Sequence, residues 1–245
     1  LSLSLDLLSK LGPDAQNRPD TQRTTVSALI QQTQLKPYQD GALSAHVLRL
    51  YDDAIQVQES AVRATPSDSL ALAELARLYT LSARSLRQAG FRDQAIARYR
   101  QALKIQKEFY PTKCPTYAHC QPWLDNYLAL ATIEDEVGDI PSAIDSYSKA
   151  QKILTDISIH EIDNKDNKWD LSRTVSRIAK LQERSGNIPL AINYYQEAVA
   201  ACQALVAIDP TDMGALREIA KIYAQMGRIT LSINGPLVAA DYYHK

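Results

Sequence analysis

The chain has 245 residues and a formal net charge of −1 at pH 7. A protein this close to neutral has no overall electrostatic field to draw it to nucleic acid or to a membrane surface. Its hydrophobic content of 45% is enough for a core, and its eight glycines suit long helices better than Gly-rich nucleotide-binding loops.

The N-terminal part is predicted to be an extension followed by helices. Residues 1–23 form an apolar stretch and a polar, proline-bearing linker. A helix is expected over 24–35, because apolar residues recur there at helical spacing. The next helix, 42–64, ends before Pro66, since the residue before a proline is disfavoured in the helical region. These two helices, within 24–66, are interpreted as a degenerate repeat.

Three helix pairs follow, each with a glycine at the turn between its first and second helix. The predicted pairs span 69–109, 123–157 and 169–207, and a partial fourth spans 213–228 with its turn at Gly227. The connectors 111–122 and 158–168 are predicted to be irregular, because the first is interrupted by prolines and the second is polar. Residues 229–245 are predicted to be an irregular C-terminal segment.

The helix pairs repeat one another at a fixed interval. The turn glycines Gly90, Gly138 and Gly186 stand 48 residues apart, and Gly227 follows after 41. The second helices keep an Ala, a Tyr and an Ala in register, namely Ala95/Tyr99/Ala102, Ala143/Tyr147/Ala150 and Ala191/Tyr195/Ala198. Self-similarity of this kind indicates a stacked repeat array, in which each unit buries its apolar face against its neighbours. We therefore expect the tyrosines and alanines to be core residues.

The pattern resembles the tetratricopeptide repeat family. The small residue that this family places in the first helix corresponds to Ala83, Ala131, Ala179 and Ala220. The resemblance covers residues 70–228 well and 24–66 loosely, and it departs in period, since the family unit has about 34 residues. It implies an all-α fold, a right-handed α-solenoid of antiparallel helix pairs whose first helices line a concave groove.

The groove positions are those the resemblance places on the inner face of the first helices, thirteen, ten, six, three and two residues before the glycine, and they include Ser176 and Gln225. We name as candidate partner-binding residues Arg77, Thr80, Arg84, Arg87, Asp125, Leu128, Asp135, Arg173, Arg177, Lys180, Arg184, Arg217 and Lys221. This set is basic at both ends and acidic in the middle, which would select a segment with complementary charge blocks. The alternative is that these residues are simply solvated helix faces. The family's chaperone-tail carboxylate clamp is matched only at Arg173 and Arg177, so that activity is not predicted.

No catalytic or metal-binding motif is present. The cluster Cys114, His119 and Cys120 offers three ligands at an unusual spacing, whereas a zinc site needs four. We expect a plain connector there, with a disulfide between the two cysteines left open for an oxidising compartment. No enzyme activity, cofactor, metal or small-molecule substrate is expected.

The compartment is not fixed by the sequence. Three cysteines do not make a disulfide framework, and there is no N-x-S/T sequon, signal-peptide pattern or apolar run long enough to cross a membrane. Because the chain begins with Leu1, we expect a processed form or a part of a longer protein. The cytosol is the default expectation.

The function predicted from these observations is a non-enzymatic scaffold or adaptor. Its partner would be a peptide segment or a subunit of a larger assembly, without membrane insertion. One alternative is a regulatory or sensor array of a larger signalling ATPase or caspase-like protease. A second is an RNA-binding helical repeat, but nucleic acid is not expected, because acidic residues such as Asp125 and Asp135 interrupt the basic face.

Overall fold

The computed structural model describes residues 21, 24, 26–28, 31, 41–109, 116–234 and 236–244. The predictions for residues 1–20 and for 111–115 of the connector 111–122 fall outside the described residues. Of the predicted helix 24–35, the described positions are helical, and Val26 is buried.

The described ranges are almost entirely helical, and they contain no strand. The helices from residue 41 onward are α1 (Gly41–Ala64), α2 (Ser69–Gln88), α3 (Arg92–Phe109), α4 (Tyr117–Glu136), α5 (Ile140–His160), α6 (Lys165–Arg184), α7 (Ile188–Ile208), α8 (Met213–Asn234) and α9 (Pro236–Tyr243). The predicted all-α fold of helix pairs is therefore confirmed. Within the part of the chain that is described, no helix combines the length and apolar character needed to cross a bilayer.

The chain divides into two compact units, Leu1–Pro111 and Thr112–Lys245. In the first, α2 packs against α1 and α3. In the second, each of the helices α4 to α9 packs against the next one in sequence. The boundary lies in the proline-rich connector, so the array predicted over 24–228 consists of two parts that are described separately below.

The repeated tyrosines and alanines are core residues, as predicted. Tyr99, Tyr147 and Tyr195 are 1%, 3% and 1% exposed. The alanines in register with them, Ala95, Ala102, Ala143, Ala150, Ala191 and Ala198, are all fully buried. Small residues let two helices approach closely, and the aromatic ring fills the space beside them. The degenerate repeat follows the same rule, since Tyr51 and Ala54 are buried.

Three of the turn glycines have the backbone conformation that the repeat requires. Gly90, Gly138 and Gly186 have φ of +87°, +83° and +79°. Only glycine adopts this left-handed conformation without strain, and it commonly follows the end of a helix. The second helix then begins within three residues of the glycine.

The long period comes mainly from long helices, and the loop predicted over 158–168 is shorter than predicted, at residues 161–164. Helix α5 has 21 residues and continues to His160, and α6 has 20 and begins at Lys165. Asn164 caps α6 by accepting a hydrogen bond from the backbone N–H of Asn167 at 2.9 Å. The buried side chain of Asn167 donates to the Leu154 carbonyl and to Ser158. This polar contact holds α6 against the extended end of α5.

The end of the first predicted connector is also helical. Helix α4 begins at Tyr117, and its interior contains Pro122. Thr116 caps the helix, and the Tyr117 hydroxyl donates to Asp170 at 2.7 Å. Cys120 is buried and disulfide-bonded, whereas Cys202 is a buried free thiol. Pro122 cannot donate a backbone hydrogen bond to residue 118, so α4 lacks one bond of its regular pattern there.

The predicted turn at Gly227 and the irregular segment 229–245 are wrong. Helix α8 runs through Gly227 to Asn234, and α9 follows at Pro236. Gly227 instead allows a close approach: a Cβ atom there would lie 2.8 Å from Cζ of Tyr243 on α9. Glycine is required at this position because a side chain would collide with the Tyr243 ring, and not because the chain turns there.

Candidate functional site

In the N-terminal unit, the predicted groove positions lie on α2. Arg77 is exposed and donates to both carboxylate oxygens of Glu74, at 3.0 and 2.7 Å. This hydrogen-bonded pair raises the pKa of the Arg77 guanidinium. The Thr80 hydroxyl donates to the Ala76 carbonyl of its own helix. Arg84 is exposed and Arg87 is half-buried. The structure therefore engages the side chains of Arg77 and Thr80 within α2 itself.

The predicted groove residues on α4 are partly engaged by side chains of the same unit. Asp135 forms an ion pair with Arg184 of α6, which joins two predicted groove positions to each other. Leu128 is half-buried and packs against the core clusters of this unit. Asp125 is also half-buried. Because Asp135 and Arg184 neutralise one another, the acidic block expected from the sequence is weaker than predicted.

On α6 and α8, the remaining predicted residues are exposed. Arg173, Arg177 and Lys180 project from α6. On α8, the Arg217 Nε donates to the Met213 carbonyl at 3.0 Å, and Lys221 Nζ lies 3.2 Å from a Glu218 carboxylate oxygen. Several cations therefore lie along these two helices.

Helices α6, α7 and α8 line a partly open pocket of about 410 Å³. We call it the α6–α8 pocket, and it is lined by Ser176, Lys180, Tyr195, Glu218, Lys221, Ile222, Ala224, Gln225 and Arg228. Lys180 and Lys221 are predicted binding residues, and Ser176 and Gln225 occupy groove positions as well. The predicted groove faces of α6 and α8, the first helices of the third and fourth pairs, thus line the same pocket.

A carboxylate beside the pocket joins its three helices. Glu183 of α6 accepts hydrogen bonds from the Tyr195 hydroxyl at 3.2 Å and from Gln225 Nε2 at 2.8 Å. It also forms an ion pair with Arg228. Burial, and then the adjacent Glu183 carboxylate, raise the pKa of the Tyr195 phenol. These bonds fix three lining side chains in place, so the wall of the pocket is preorganised.

One lining side chain lacks a hydrogen-bond partner. Ser176 is 8% exposed, and its Oγ atom is buried with no partner among the described residues. It stands one helical turn before Lys180, so the two side chains share a face of α6. A buried hydroxyl without a partner costs free energy, because its hydrogen bond to water is not replaced. Ser176 is thus the lining residue whose polar atom is both buried and without a partner among the described residues.

Sequence reasoning missed Arg228 and Glu218 as pocket residues. With α8 expected to end before Gly227, Arg228 was not placed on the helix. In the continuous helix, Arg228 is three residues after Gln225 and seven after Lys221, so all three lie on one face. The residues directly after Gly227 gave no signal of this, since Gly90 turns without a proline or capping residue directly after it.

The pocket has the chemistry of a binding site. Across the described ranges, no group of three or more His, Cys, Asp or Glu side chains is arranged to hold a metal ion. What the pocket offers is an apolar wall at Ile222 and Ala224, several amine and guanidinium donors, and a buried hydroxyl. Such a surface can accept a side chain with an apolar stem and an anionic end.

Comparison with known proteins gives the fold class. No family model matches the sequence, and no curated protein is significantly similar to it. Among solved structures, BtubC (BKLC) from P. vanneervenii is similar at 15% identity, covering 99% of this chain and 89% of that chain with a TM-score of 0.51. This likeness extends over nearly the whole length of both proteins.

Two further structures are similar at lower scores. The TPR-like repeats of a putative kinesin light chain from Podosopora anserina share 16% identity, covering 93% of each chain with a TM-score of 0.49. Aspartyl phosphate phosphatase F from Bacillus subtilis shares 17% identity over 98% of this chain and 57% of that chain, also at 0.49. With its helix pairs, left-handed turn glycines and buried tyrosine register, the chain is a helical-repeat protein with the tetratricopeptide-like fold.

Proposed function

We propose that this protein is a non-enzymatic scaffold that binds a segment of another protein at the α6–α8 pocket. The observation that carries this proposal is the pocket itself. It lies between helices whose inner faces the repeat pattern assigns to a groove, and its lining combines apolar and charged groups. Pockets of this size commonly receive one or two side chains of a bound segment.

The preorganisation of the pocket supports a binding role. Tyr195, Gln225 and Arg228 are held by Glu183, so a guest would not have to order these side chains. Ordering side chains on binding costs free energy, and a rigid surface avoids that cost. Arg173 and Arg177, exposed on the same helix, extend the basic character of α6 beyond the pocket.

The proposal is tested by blocking the pocket. A library of random 12-residue peptides, fused through their C-termini to a phage coat protein, is selected against the wild-type chain and against Ala224→Trp. Ala224 is exposed and lines the pocket, so the indole should fill the cavity without disturbing the core. Ala200→Trp places the same side chain at an exposed site on α7 outside the pocket lining and is the matched control.

We expect the wild type and Ala200→Trp to enrich the same peptides and Ala224→Trp to lose them. The proposal is wrong if the wild type enriches no peptide, or if Ala224→Trp enriches the same peptides as the wild type.

A further inference from the structure

Of the three cationic side chains that line the α6–α8 pocket, two form ion pairs. Lys221 is paired with Glu218, and Arg228 is paired with Glu183. Lys180 lines the same pocket and has no ion-pair or hydrogen-bond partner among the described residues. The lining residues comprise three cations and one carboxylate, so a guest group of negative charge is favoured.

The Ser176 hydroxyl is the second observation that points to a ligand. Its Oγ is buried, has no hydrogen-bond partner in the part of the chain that the structure describes, and lies one helical turn from Lys180 on the same helix face. A hydroxyl can donate one hydrogen bond, and an ammonium group can donate three. An acceptor group placed between them would satisfy both at once.

We propose that Ser176 and Lys180 form a subsite for the carboxylate of one aspartate or glutamate side chain of the bound segment. The inference rests on the proposed function, since it names the chemistry of the guest at that pocket. The aliphatic stem of the guest side chain lies against Ile222 and Ala224. One carboxylate oxygen accepts from Lys180 Nζ, and rotation of the Ser176 side chain about χ1 brings its buried Oγ to donate to the other.

A single carboxylate fits this subsite better than a phosphate group. A phosphate monoester carries a charge of about −1.5 to −2 at neutral pH. Lys180 is the lining cation without a partner in the described ranges, and the carboxylates of Glu218 and Glu183 lie on neighbouring helix turns. Those two carboxylates would repel a dianion more strongly than a monoanion.

The test uses a synthetic, fluorescein-labelled form of the peptide most enriched by the wild-type chain, amidated at its C-terminus. Binding is measured by fluorescence anisotropy for the wild type, Lys180→Gln and Ser176→Ala. Each protein is measured with the peptide as selected and with its acidic residues changed one at a time to the matching amide. Lys152→Gln, at an exposed lysine on α5 outside the pocket lining, is the matched control.

We expect the selected peptides to share one acidic position, and Lys180→Gln to weaken binding about 10-fold, the loss expected for one charge-assisted hydrogen bond. Ser176→Ala should weaken it several-fold, and Lys152→Gln should leave it unchanged. The decisive expectation is coupling: the amide peptide should bind the wild type about 10-fold more weakly, but should bind Lys180→Gln as well as the acidic peptide does.

The subsite is overturned if the enriched peptides share no acidic position, or if the acid-to-amide change costs the same factor in the wild type and in Lys180→Gln. Either result leaves the proposed function standing, since peptides would still bind and be blocked by Ala224→Trp. Failure of the wild type to enrich any peptide would overturn both.

Discussion

The pair α6–α7 and the pair α8–α9 share a repeat register but end differently. In the first, Gly186 takes φ of +79° and the chain reverses into α7. In the second, Gly227 occupies the same column and α8 passes straight through it. Pro189 follows Gly186 by three residues and cannot continue the preceding helix, whereas Thr230 follows Gly227 and can. A glycine permits a turn but does not by itself produce one, and a following proline is not required, since Gly90 also turns, with φ of +87° and Asp93 three residues later.

The difference also changes how each pair is held together. Tyr195 is buried in the register of the third pair, and Pro236 stands in that column of the last. The last pair instead relies on Ala239, which is 1% exposed, and on Tyr243 packed over Gly227. Since Tyr243 is 53% exposed, this second contact buries far less surface than Tyr195 does.

The largest predicted difference in unfolding free energy is between substitutions of Tyr195 and Tyr243. Tyr195→Ala should lower the free energy of unfolding by about 3–5 kcal/mol, because it empties a fully buried aromatic site. Tyr243→Ala should cost less than about 1 kcal/mol, since half of that side chain is already in water. Urea unfolding followed by circular dichroism measures both. Equal losses for the two variants would show that the last pair is as tightly packed as the third.

The next largest difference in stability is expected between alanine substitutions of Gly186 and Gly227. Gly186→Ala should destabilise the protein by about 1–2 kcal/mol, because alanine is strained in the left-handed conformation. Gly227→Ala should displace the Tyr243 ring while gaining about 1 kcal/mol of helix propensity, so its net effect on unfolding should be small. Hydrogen exchange should show faster opening of α9 in Gly227→Ala and not in Gly186→Ala.

The same two glycine substitutions can also be measured in a protein that carries Tyr243→Ala. Combined with Tyr243→Ala, Gly227→Ala should become stabilising by about 1 kcal/mol, since the clash is gone and only helix propensity remains. Gly186→Ala should cost the same in either background. A Gly227→Ala effect that is the same with and without Tyr243 would contradict the close approach.

The smallest effect is one of pH. Burial, followed by the Glu183 carboxylate, raises the pKa of Tyr195. In the unfolded chain a tyrosine ionises near pH 10, so above about pH 10 the folded state binds the proton more tightly. Stability contributed by Tyr195 is therefore present below about pH 10 and is lost as the pH rises toward the raised pKa. Urea midpoints from about pH 8 to pH 11 should fall more steeply for the wild type than for Tyr195→Phe, and parallel curves would contradict the prediction.

Much of the candidate site could be assigned from position in the repeat. Ser176, Lys180, Lys221 and Gln225 lie at groove positions, and all four line the α6–α8 pocket. Counting from the turn glycine succeeds because side chains three and four residues apart share one face of a helix. The same counting placed Leu128 in the groove, yet it packs on the core. Its apolar side chain follows whichever neighbour can cover it, and this depends on residues far away in sequence.

The charge pattern could not be predicted in the same way. Asp135 and Arg184 are 49 residues apart and neutralise each other, and Glu183 gathers Tyr195, Gln225 and Arg228 from two other helices. Whether a charged side chain faces a guest or a partner in its own protein is decided by which helices become neighbours. Nothing within a single helix contains that information.

The sequence by itself determined the all-α class, the helix pairs, the left-handed glycines and the buried register of Tyr99, Tyr147 and Tyr195, because these follow from local propensity and a repeated spacing. Only the tertiary structure decided that α8 continues through Gly227, that Arg184 forms an ion pair with Asp135, and that the Ser176 hydroxyl has no partner among the residues described. Those outcomes depend on the close approach of helices that are distant in sequence, where space and hydrogen-bond partners are shared between segments.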